Sequence, residues 1–482
     1  MRKKIIFSTG ILVVLAALSA AVWLWINFLS NPFGTVQPYV QPGTNAVAVG
    51  GVDSSRLVWV TETEAADFTV DFGPSPSYGR TALPEHRELA AGGRAHKYTA
   101  TLTDLKLDSQ VYYRVRQGGK TIRANAFAAR KSATNSIHFV AVGDTVRRQP
   151  PERRIAWGIS QQRPDFLLHL GDIVYFKGKV REYRDRFWPC YNDSARSSPR
   201  LGAPIMGSVP FHVVLGNHDV HYGLNLAELP DGLAAFYFFH APANGPRGLK
   251  CSIPVTGGTE QMAAFRAGAG DSFPGLSFYS FENGPAHFLF LDANTYTDFE
   301  EPSLRDWIER DLRSAGTPWK FVVTHQPAFQ TAVKEYNFQH MRLLSPLLER
   351  CGVDVVFSGH THNYQRTKPI KFLPQRSNAG AALGWVNGRF DVDNDFDGTT
   401  NQLPRGIIHV VSGGGGARLF DLHLNGDPVL VGMDTNNWVP FTARLFSGTF
   451  SFSDVTVTPK RFTLRQIDDQ GREIDRLEIR KP

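Results

Sequence analysis

The stretch GHTHNYQR, residues 359–366, follows almost directly on the apolar run VDVVF at residues 353–357. Side chains alternate in direction along a strand, so His360 and His362 at the end of this run can point to the same side of a sheet. Imidazole nitrogen is a good ligand for zinc and iron. In a chain with 15 histidines, one such pair alone is weak support for a metal site, and two solvated loop histidines are the alternative.

Four further apolar runs end in polar residues of the same kind. Residues 137–142 lead into GD at 143–144, 166–170 into GDIVY at 171–175, 211–215 into GNHD at 216–219, and 319–323 into THQP at 324–327. Helices are predicted between them at 152–162, 303–314 and 338–350. Buried strands that alternate with helices indicate a layered α/β core, in which ligands gather at the carboxyl ends of the strands.

The strand ends offer only oxygen and nitrogen donors of metal-ligand type. The candidate ligands are Asp144, Asp172, Tyr175, Asn217, His325, His360 and His362. A single Gly-Asp after a strand is usually a turn or a helix cap. Five such ends in order are hard to obtain by chance, and together they predict a metal site.

At these residues the sequence resembles the purple acid phosphatases, within the calcineurin-like metallophosphoesterases. The family's blocks GDxG, GDxxY, GNH followed by an acid, VxxH and GHxHxY are matched by GD at 143–144, GDIVY, GNHD, VVTH at 322–325 and GHTHNY. The resemblance implies an α/β fold, with a two-sheet α/β sandwich metallophosphoesterase core preceded by an all-β fibronectin-like sandwich domain.

The resemblance also implies a ligand set for each of two metals. Asp144, Asp172, Tyr175 and His362 would hold one metal, and Asp172, Asn217, His325 and His360 would hold the other. A carboxylate that bridges two cations holds them about 3.5–4 Å apart, so that they share a hydroxide and clamp the phosphoryl oxygens during in-line attack.

His218 is the expected general acid at the leaving group, because an imidazole titrates near the pH at which proton transfer is useful. A packing role for His218 is the alternative. The implied metals are Fe(III), which a phenolate ligand such as Tyr175 favours, and a divalent ion of iron, zinc or manganese.

The sequence departs from the family pattern at two places. Many calcineurin-like enzymes have a histidine ligand where this chain has Val146, and Tyr175 could replace it. Because GDTV lacks the last glycine of GDxG, a packing role for Tyr175 stays open. Plant members carry substrate-binding histidines after the VxxH block, where this chain has Lys334 and Glu335, so substrate preference also stays open.

The N-terminus predicts export. Three basic residues at positions 2–4 precede an apolar run over residues 5–29, which is long enough to span a bilayer. We expect an uncleaved signal anchor at residues 1–29, with a cleaved signal peptide as the alternative. A Pro- and Gly-rich linker is expected at 30–45. This arrangement predicts a membrane-anchored protein whose catalytic body lies outside the cytoplasm, in the periplasm or at the cell exterior.

Two domains are expected after the linker. Short alternating runs separated by turn residues predict a fibronectin III-like β-sandwich at 46–130. Residues 131–482 are predicted to form the metallophosphoesterase domain, which ends in a β-hairpin. His138, His169, His212 and His287 alternate with apolar neighbours and are predicted to be structural.

Composition excludes some classes of partner and site. Lys and Arg number 52 against 45 Asp and Glu, an excess of 7 of which three charges flank the anchor, so small phosphorylated substrates are expected and nucleic acid is not. Cys190, Cys251 and Cys351 can form at most one disulfide and have no metal-type spacing. Residues 393–398 open like a calcium loop, but Pro404 occupies the twelfth position and favours a solvated acidic loop.

The predicted function is that of an exported, membrane-anchored binuclear-metal phosphatase that hydrolyses phosphomonoesters by metal-bound hydroxide attack. One alternative keeps the metals and is a phosphodiesterase or nucleotide pyrophosphatase. An alternative of another class is a non-catalytic envelope or surface protein that retains the metal core. The complete ligand set together with His218 argues against it, because a scaffold needs no acid.

Overall fold

The computed structural model describes residues 34–90, 93–146, 150–193, 197–221, 223–249, 252–331, 338–375, 386–420 and 441–482. The predicted anchor at 1–29, the first residues of the predicted linker, Cys251, Lys334 and Glu335 lie outside these ranges. Within them, no helix has the length and apolar character needed to cross a membrane.

The N-terminal part consists of two four-stranded antiparallel sheets. Its strands are β1 Val36–Pro42, β2 Val52–Thr61, β3 Phe68–Gly73, β4 Arg80–Ala82, β5 Glu85–Leu89, β6 Ala95–Lys106, β7 Gln110–Gln117 and β8 Lys120–Ala128. The sheet orders are β1-β2-β6-β5 and β4-β3-β7-β8. The sheets share an apolar core around Trp59, whose ring contacts Tyr98 of its own sheet and Phe68 of the other.

The prediction of a linker over residues 30–45 is wrong for residues 36–42, which form β1. This strand pairs antiparallel with β2, and Tyr39 lies opposite Val58. Its prolines are tolerated because β1 is an edge strand, where one side of the backbone needs no partner. The Tyr39 hydroxyl donates a hydrogen bond to the Phe238 carbonyl at 2.7 Å, which ties the strand to the larger domain.

The larger domain is a mixed α/β fold with two main sheets. The six-stranded sheet contains β9 Ile137–Val142, β10 Phe166–His169, β11 Phe211–Val213, β23 Ser451–Thr458, β24 Arg461–Asp468 and β25 Glu473–Arg480. The seven-stranded sheet contains β14 Phe278–Asn283, β15 Ala286–Leu291, β16 Trp319–Thr324, β17 Val355–Ser358, β18 Tyr364–Thr367, β21 Ile408–Ser412 and β22 Thr442–Phe446. Two short ladders pair β12 Leu224–Asn225 with β13 Val255–Thr256, and β19 Ile370–Pro374 with β20 Gly388–Val392.

Short helices connect these strands. They are α1 Pro151–Gln162, α2 Val180–Glu182, α3 Trp188–Tyr191, α4 Asn217–Val220, α5 Ala235–Phe238, α6 Thr259–Ala269, α7 Ser272–Gly275, α8 Pro302–Ser314 and α9 Ser345–Arg350. A π-helical turn spans Tyr183–Phe187, and 3-10 turns span Ile205–Gly207 and His340–Leu344. The three helices predicted from sequence correspond to α1, α8 and the 3-10 turn joined to α9.

Aromatic side chains hold the two main sheets together. The ring of Phe139 on β9 lies 5.4 Å from Phe288, 6.2 Å from Phe321 and 5.8 Å from Phe357, all three on the seven-stranded sheet. Strands β9, β10 and β11 run parallel, as do β15, β16, β17 and β21. Their carboxyl ends therefore meet at one edge of the sandwich, which is where the predicted ligands lie.

The histidines predicted to be structural contact core residues. His287 lies 2.7 Å from the Asp311 carboxylate on α8, and His212 stacks on Phe281 with a centroid distance of 3.8 Å. Burial opposes protonation of His287, but the carboxylates of Asp311 and Glu282 outweigh it and raise its pKa. These rings fix packing between elements.

The C-terminal hairpin supports the loop that carries His360 and His362. Arg366, at the end of this loop, makes two hydrogen bonds to Asp475 on β25 at 2.8 and 3.2 Å, and Tyr364 donates to the same carboxylate at 2.7 Å. Both charged side chains are less than a tenth exposed. The predicted closing hairpin thus buttresses the loop through a buried ion pair.

Replacing Asp475 with alanine should lower the free energy of unfolding by about 3–5 kcal/mol, because the buried Arg366 guanidinium would lose its partner. Chemical denaturation measures this change. The matched control is Glu473→Ala, which removes a half-exposed pair with Arg476 and should cost less than about 1 kcal/mol. Equal effects of the two substitutions would contradict the buttressing role.

Candidate metal centre

Three of the candidate ligands have a left-handed backbone conformation at the strand ends. The φ angles are 58° for Asp144, 50° for Asp172 and 66° for His360. Such conformations cost non-glycine residues about 1–3 kcal/mol each and persist where the surrounding structure holds them. Here the His360 N–H donates to Asp144 Oδ2 at 2.8 Å, which links the first and last blocks.

Asp144, Asp172, Tyr175 and His362 form the first group of donors. The Tyr175 hydroxyl lies 3.1 Å from Asp144 Oδ1 and 3.1 Å from His362 Nε2. Asp144, Asp172 and His362 each offer a ligand atom within 4.8 Å of the others, and all three residues are buried. This spacing suits donors that surround one cation.

Asn217, His325 and His360 form the second group, which also includes Asp172. Asn217 Oδ1 lies 3.2 Å from His325 Nε2 and 3.0 Å from His360 Nδ1. Asp172 Oδ1 lies 3.3 Å from His325 Nε2. Asp172 therefore belongs to both groups, in the position of a bridge.

Two of the histidines are oriented by backbone carbonyl groups. His325 Nδ1 lies 2.7 Å from the Leu170 carbonyl, and His362 Nδ1 lies 2.8 Å from the Arg418 carbonyl. A carbonyl can only accept, so Nδ1 carries the proton and Nε2 is left to act as a ligand. In neutral His325 the Nε2 lone pair would then face the Asn217 oxygen, which also has no proton to give. Such facing lone pairs need a cation, and the donor set therefore fits metal ions.

The charged groups around His325 also favour a positive charge at this position. Burial opposes protonation of His325, but Asp172 and Asp144 outweigh it and raise its pKa to about 9. Burial alone would raise the pKa of Asp172, whereas His325 and His218 lower it. A proton on His325 thus supplies the positive charge that a metal would supply after displacing it.

Tyr175 is held as a neutral phenol by its surroundings. Burial, followed by the carboxylates of Asp144 and Asp172, raises the pKa of Tyr175 well above its usual value. A cation between these groups reverses that effect, because it favours the phenolate and neutralises the carboxylates.

His218 lies at the exposed side of the donor cluster. Its backbone N–H donates to Asp172 Oδ1 at 2.8 Å, and its Nδ1 lies 2.8 Å from the Phe176 carbonyl. Its Nε2 lies 3.9 Å from Asp172 Oδ2, and 30% of the side chain is exposed. The imidazole therefore presents Nε2 to the space in front of the predicted metal bridge.

Asp219, the acid of the GNHD block, fixes the backbone around Asp172. Its carboxylate accepts hydrogen bonds from the backbone N–H groups of Ile173 at 3.0 Å and Gly216 at 2.9 Å. Burial and the negative charge of Asp172 raise the pKa of Asp219. A side chain at Gly216 would be impossible, because a Cβ there would lie 2.1 Å from Asp172 Oδ1.

The predicted site residues all meet at this one place. The structure brings together Asp144, Asp172, Tyr175, Asn217, His218, His325, His360 and His362. Their roles as ligands and as acid stay a prediction. Three rings that contact the site histidines, those of Phe176, Phe338 and Phe420, were not predicted from the sequence. No spacing rule identifies such residues, since their contacts form only in the folded chain.

In the acidic loop at residues 393–398, Asp395 is 72% exposed, in agreement with the predicted solvated loop, whereas Asp393 is buried. Asp393 and Asp395 accept hydrogen bonds from the Arg405 guanidinium at 3.0 and 2.7 Å. Asp397 accepts hydrogen bonds from the backbone N–H groups of residues 399–401. Protein donors therefore occupy these carboxylates.

Comparison with known proteins finds relatives that match the region containing these residues. The calcineurin-like phosphoesterase family model matches residues 137–364, which include every candidate ligand. Purple acid phosphatase 21 of Arabidopsis thaliana is 41% identical over 347 residues, covering 69% of this chain and 68% of that protein. Purple acid phosphatase 18 of the same plant is 23% identical over 389 residues, covering 77% of this chain and 70% of that protein.

The fold is also similar to a solved structure. Purple acid phosphatase PPD1 from yellow lupin (Lupinus luteus) seeds aligns with a TM-score of 0.65 and 18% identity, covering 93% of this chain and 75% of that chain. At this identity the likeness concerns the fold alone.

Replacing Asp172 with alanine should reduce the metal content of the purified protein from about two ions per chain to one or none, because both donor groups lose a shared ligand. Inductively coupled plasma mass spectrometry measures the content. Asp395→Ala, in the exposed loop held by Arg405, serves as the control and should retain both ions. Two ions per chain in the Asp172 variant would rule out the bridging role.

Proposed function

The chain belongs to the purple acid phosphatase family of calcineurin-like phosphoesterases and is a phosphoric ester hydrolase, and on this basis we propose that it hydrolyses phosphomonoesters with two metal ions. The observation that carries the proposal is the position of Asp172. Its carboxylate lies within one cluster with Asp144 and His362 and is 3.3 Å from His325 of the other group. Two cations, when bound on either side of it, would supply the Lewis acidity that activates water and neutralises the phosphoryl oxygens.

Protein side chains would hold and orient the two ions. Asp144, Tyr175 and His362 would hold one ion, and Asn217, His325 and His360 the other, each oriented by the contacts described above. The neutral oxygen of Asn217 leaves its ion more electrophilic than a carboxylate would. Buried donors that keep a fixed geometry need little reorganisation when charge develops on the phosphoryl group.

His218 would protonate the leaving oxygen. With Nδ1–H held by the Phe176 carbonyl, the mobile proton of the imidazolium is on Nε2, which faces the site. Loss of that proton leaves a neutral imidazole with its remaining hydrogen bond intact. Since 30% of the side chain is exposed, water can return the proton after the alcohol has left.

The identity of the metals is proposed from Tyr175. A buried phenol beside two carboxylates loses its proton only when a strongly charged cation binds its oxygen, and this favours Fe(III) in the group with Tyr175. The second group, with two imidazoles, an amide oxygen and the shared carboxylate, suits divalent iron, zinc or manganese.

The cellular setting is proposed from the sequence. The basic flank and apolar run at residues 1–29 favour a membrane anchor, with the catalytic body in the periplasm or at the cell exterior. We propose that the two N-terminal sheets form a fibronectin III-like domain between this anchor and the phosphatase domain. Their antiparallel pairing and shared apolar core support this assignment.

The first test compares p-nitrophenyl phosphate with bis(p-nitrophenyl) phosphate as substrates for residues 30–482 loaded with iron and zinc. We expect a higher kcat/KM for the monoester, and a loss of about 100-fold or more in Asn217→Ala, because one ion loses a ligand. Asn401→Ala, in the exposed loop, is the control and should retain activity. Preference for the diester would reject the phosphomonoesterase assignment in favour of a phosphodiesterase.

His218→Ala should slow substrates with poor leaving groups more than substrates with good ones. For an alkyl ester such as glycerol 2-phosphate, which needs a proton on the leaving oxygen, we expect kcat to fall about 100-fold or more. For p-nitrophenyl phosphate, whose leaving group departs without a proton, the loss should be much smaller. Steady-state kinetics with both esters tests this difference, and equal losses would show that His218 is not the acid.

A further inference from the structure

Phe176 is a large apolar residue that stays exposed beside the metal centre. Its exposed fraction is 42%, and it is one of two exposed phenylalanines among the residues that the structure describes, the other being Phe390. The Phe176 ring lies 5.8 Å from the His218 ring at an interplanar angle of 73°. Phe390, on β20, instead contacts Phe372 on β19 and Phe441, which directly precedes β22.

The position of Phe176 relative to His218 defines what it can touch. The Phe176 carbonyl accepts the Nδ1–H of His218 at 2.8 Å, so ring and imidazole are fixed to each other. The residue that protonates the leaving oxygen must lie on the leaving-group side of the phosphoryl group. The first carbons of the departing alcohol would then lie on the same side of the site as His218, whose ring contacts Phe176.

The loop that carries Phe176 is held rigidly. The Glu182 carboxylate accepts hydrogen bonds from the backbone N–H groups of Phe176, of Lys177 at 3.1 Å and of Lys179 at 3.0 Å. The Gly178 carbonyl in turn accepts the Ala234 N–H at 2.9 Å. A ring on such a loop loses little conformational freedom when a ligand packs against it, so more of the contact energy appears as affinity.

Two further rings cover the neighbouring histidines. Phe420 stacks on His362 with a centroid distance of 4.3 Å, and Phe338 meets His360 edge to face at 5.3 Å. Phe420 is only 8% exposed, so of these rings Phe176 offers the most surface to a ligand. An exposed aromatic face favours an apolar, flat group over a polyhydroxylated one.

We propose that Phe176 binds an aromatic ring of the leaving alcohol, so that the enzyme prefers phosphomonoesters with an aromatic ring one carbon away from the ester oxygen over matched aliphatic esters. The inference rests on the proposed phosphomonoesterase function and names the substrate class of that site. Aromatic pairs contribute enough beyond area burial to give a preference of roughly 2- to 10-fold.

The test uses two esters with primary alcohols and six-membered rings, benzyl phosphate and cyclohexylmethyl phosphate. They differ in the aromaticity of the ring, while the leaving oxygen is attached to a CH2 group in both. We expect the wild-type full exported chain, loaded with iron and zinc, to show a benzyl to cyclohexylmethyl ratio of kcat/KM of roughly 2 to 10, carried mainly by KM.

Phe176→Leu keeps the carbonyl that holds His218 and removes the aromatic ring, and it should bring the ratio to about 1. Phe390→Leu removes a comparably exposed ring elsewhere and should leave the ratio unchanged. A structural defect would lower both rates together and leave their ratio intact. A wild-type ratio of 1, or an unchanged ratio in Phe176→Leu, overturns the inference alone. If the wild type hydrolyses none of benzyl phosphate, cyclohexylmethyl phosphate and p-nitrophenyl phosphate, the proposed function is overturned, and this inference with it.

Discussion

The whole site depends on one electrostatic constraint, the burial of Asp172 among groups that offer lone pairs. Its carboxylate lies between the Asp144–Tyr175–His362 group and the Asn217–His325–His360 group, and only 1% of Asp172 is exposed. Unpaired charges in such surroundings are costly, so positive charge must be supplied. Without metal, a proton on His325 supplies it, and this is why the pKa of His325 is raised to about 9.

The scaffold is arranged to maintain this constraint. Parallel strands from two sheets end at one edge, and left-handed residues there turn Asp144, Asp172 and His360 inwards. Backbone carbonyls fix which imidazole nitrogen faces the site. The last hairpin, through Arg366 and Asp475, holds the loop with two of the histidines in place. The positions of the candidate ligands are therefore set by the fold itself, which would lower the cost of assembling a metal site.

Much of this arrangement could be predicted from the sequence, because strand ends with ligand-type residues repeat in a fixed order. The runs at 137–142 and 319–323 and the helix at 303–314 agree with the structure to within a residue at each end. The edge strand β1 was missed because its prolines are typical of a linker, and only its pairing with β2 reveals it. Phe176 was missed for a similar reason, since its contact with His218 depends on a loop conformation set by Glu182. The contacts of Arg405 with Asp393 and Asp395 were not predicted either, because they too form only in the folded chain.

The most direct test of the shared role of Asp172 is a crystal structure of the metal-loaded protein, with anomalous scattering recorded at the iron and zinc absorption edges. We expect two anomalous peaks about 3.5–4 Å apart, one on each side of the Asp172 carboxylate. The iron peak should lie within bonding distance of the Tyr175 oxygen. A single peak, or two peaks that do not share Asp172, would contradict this role.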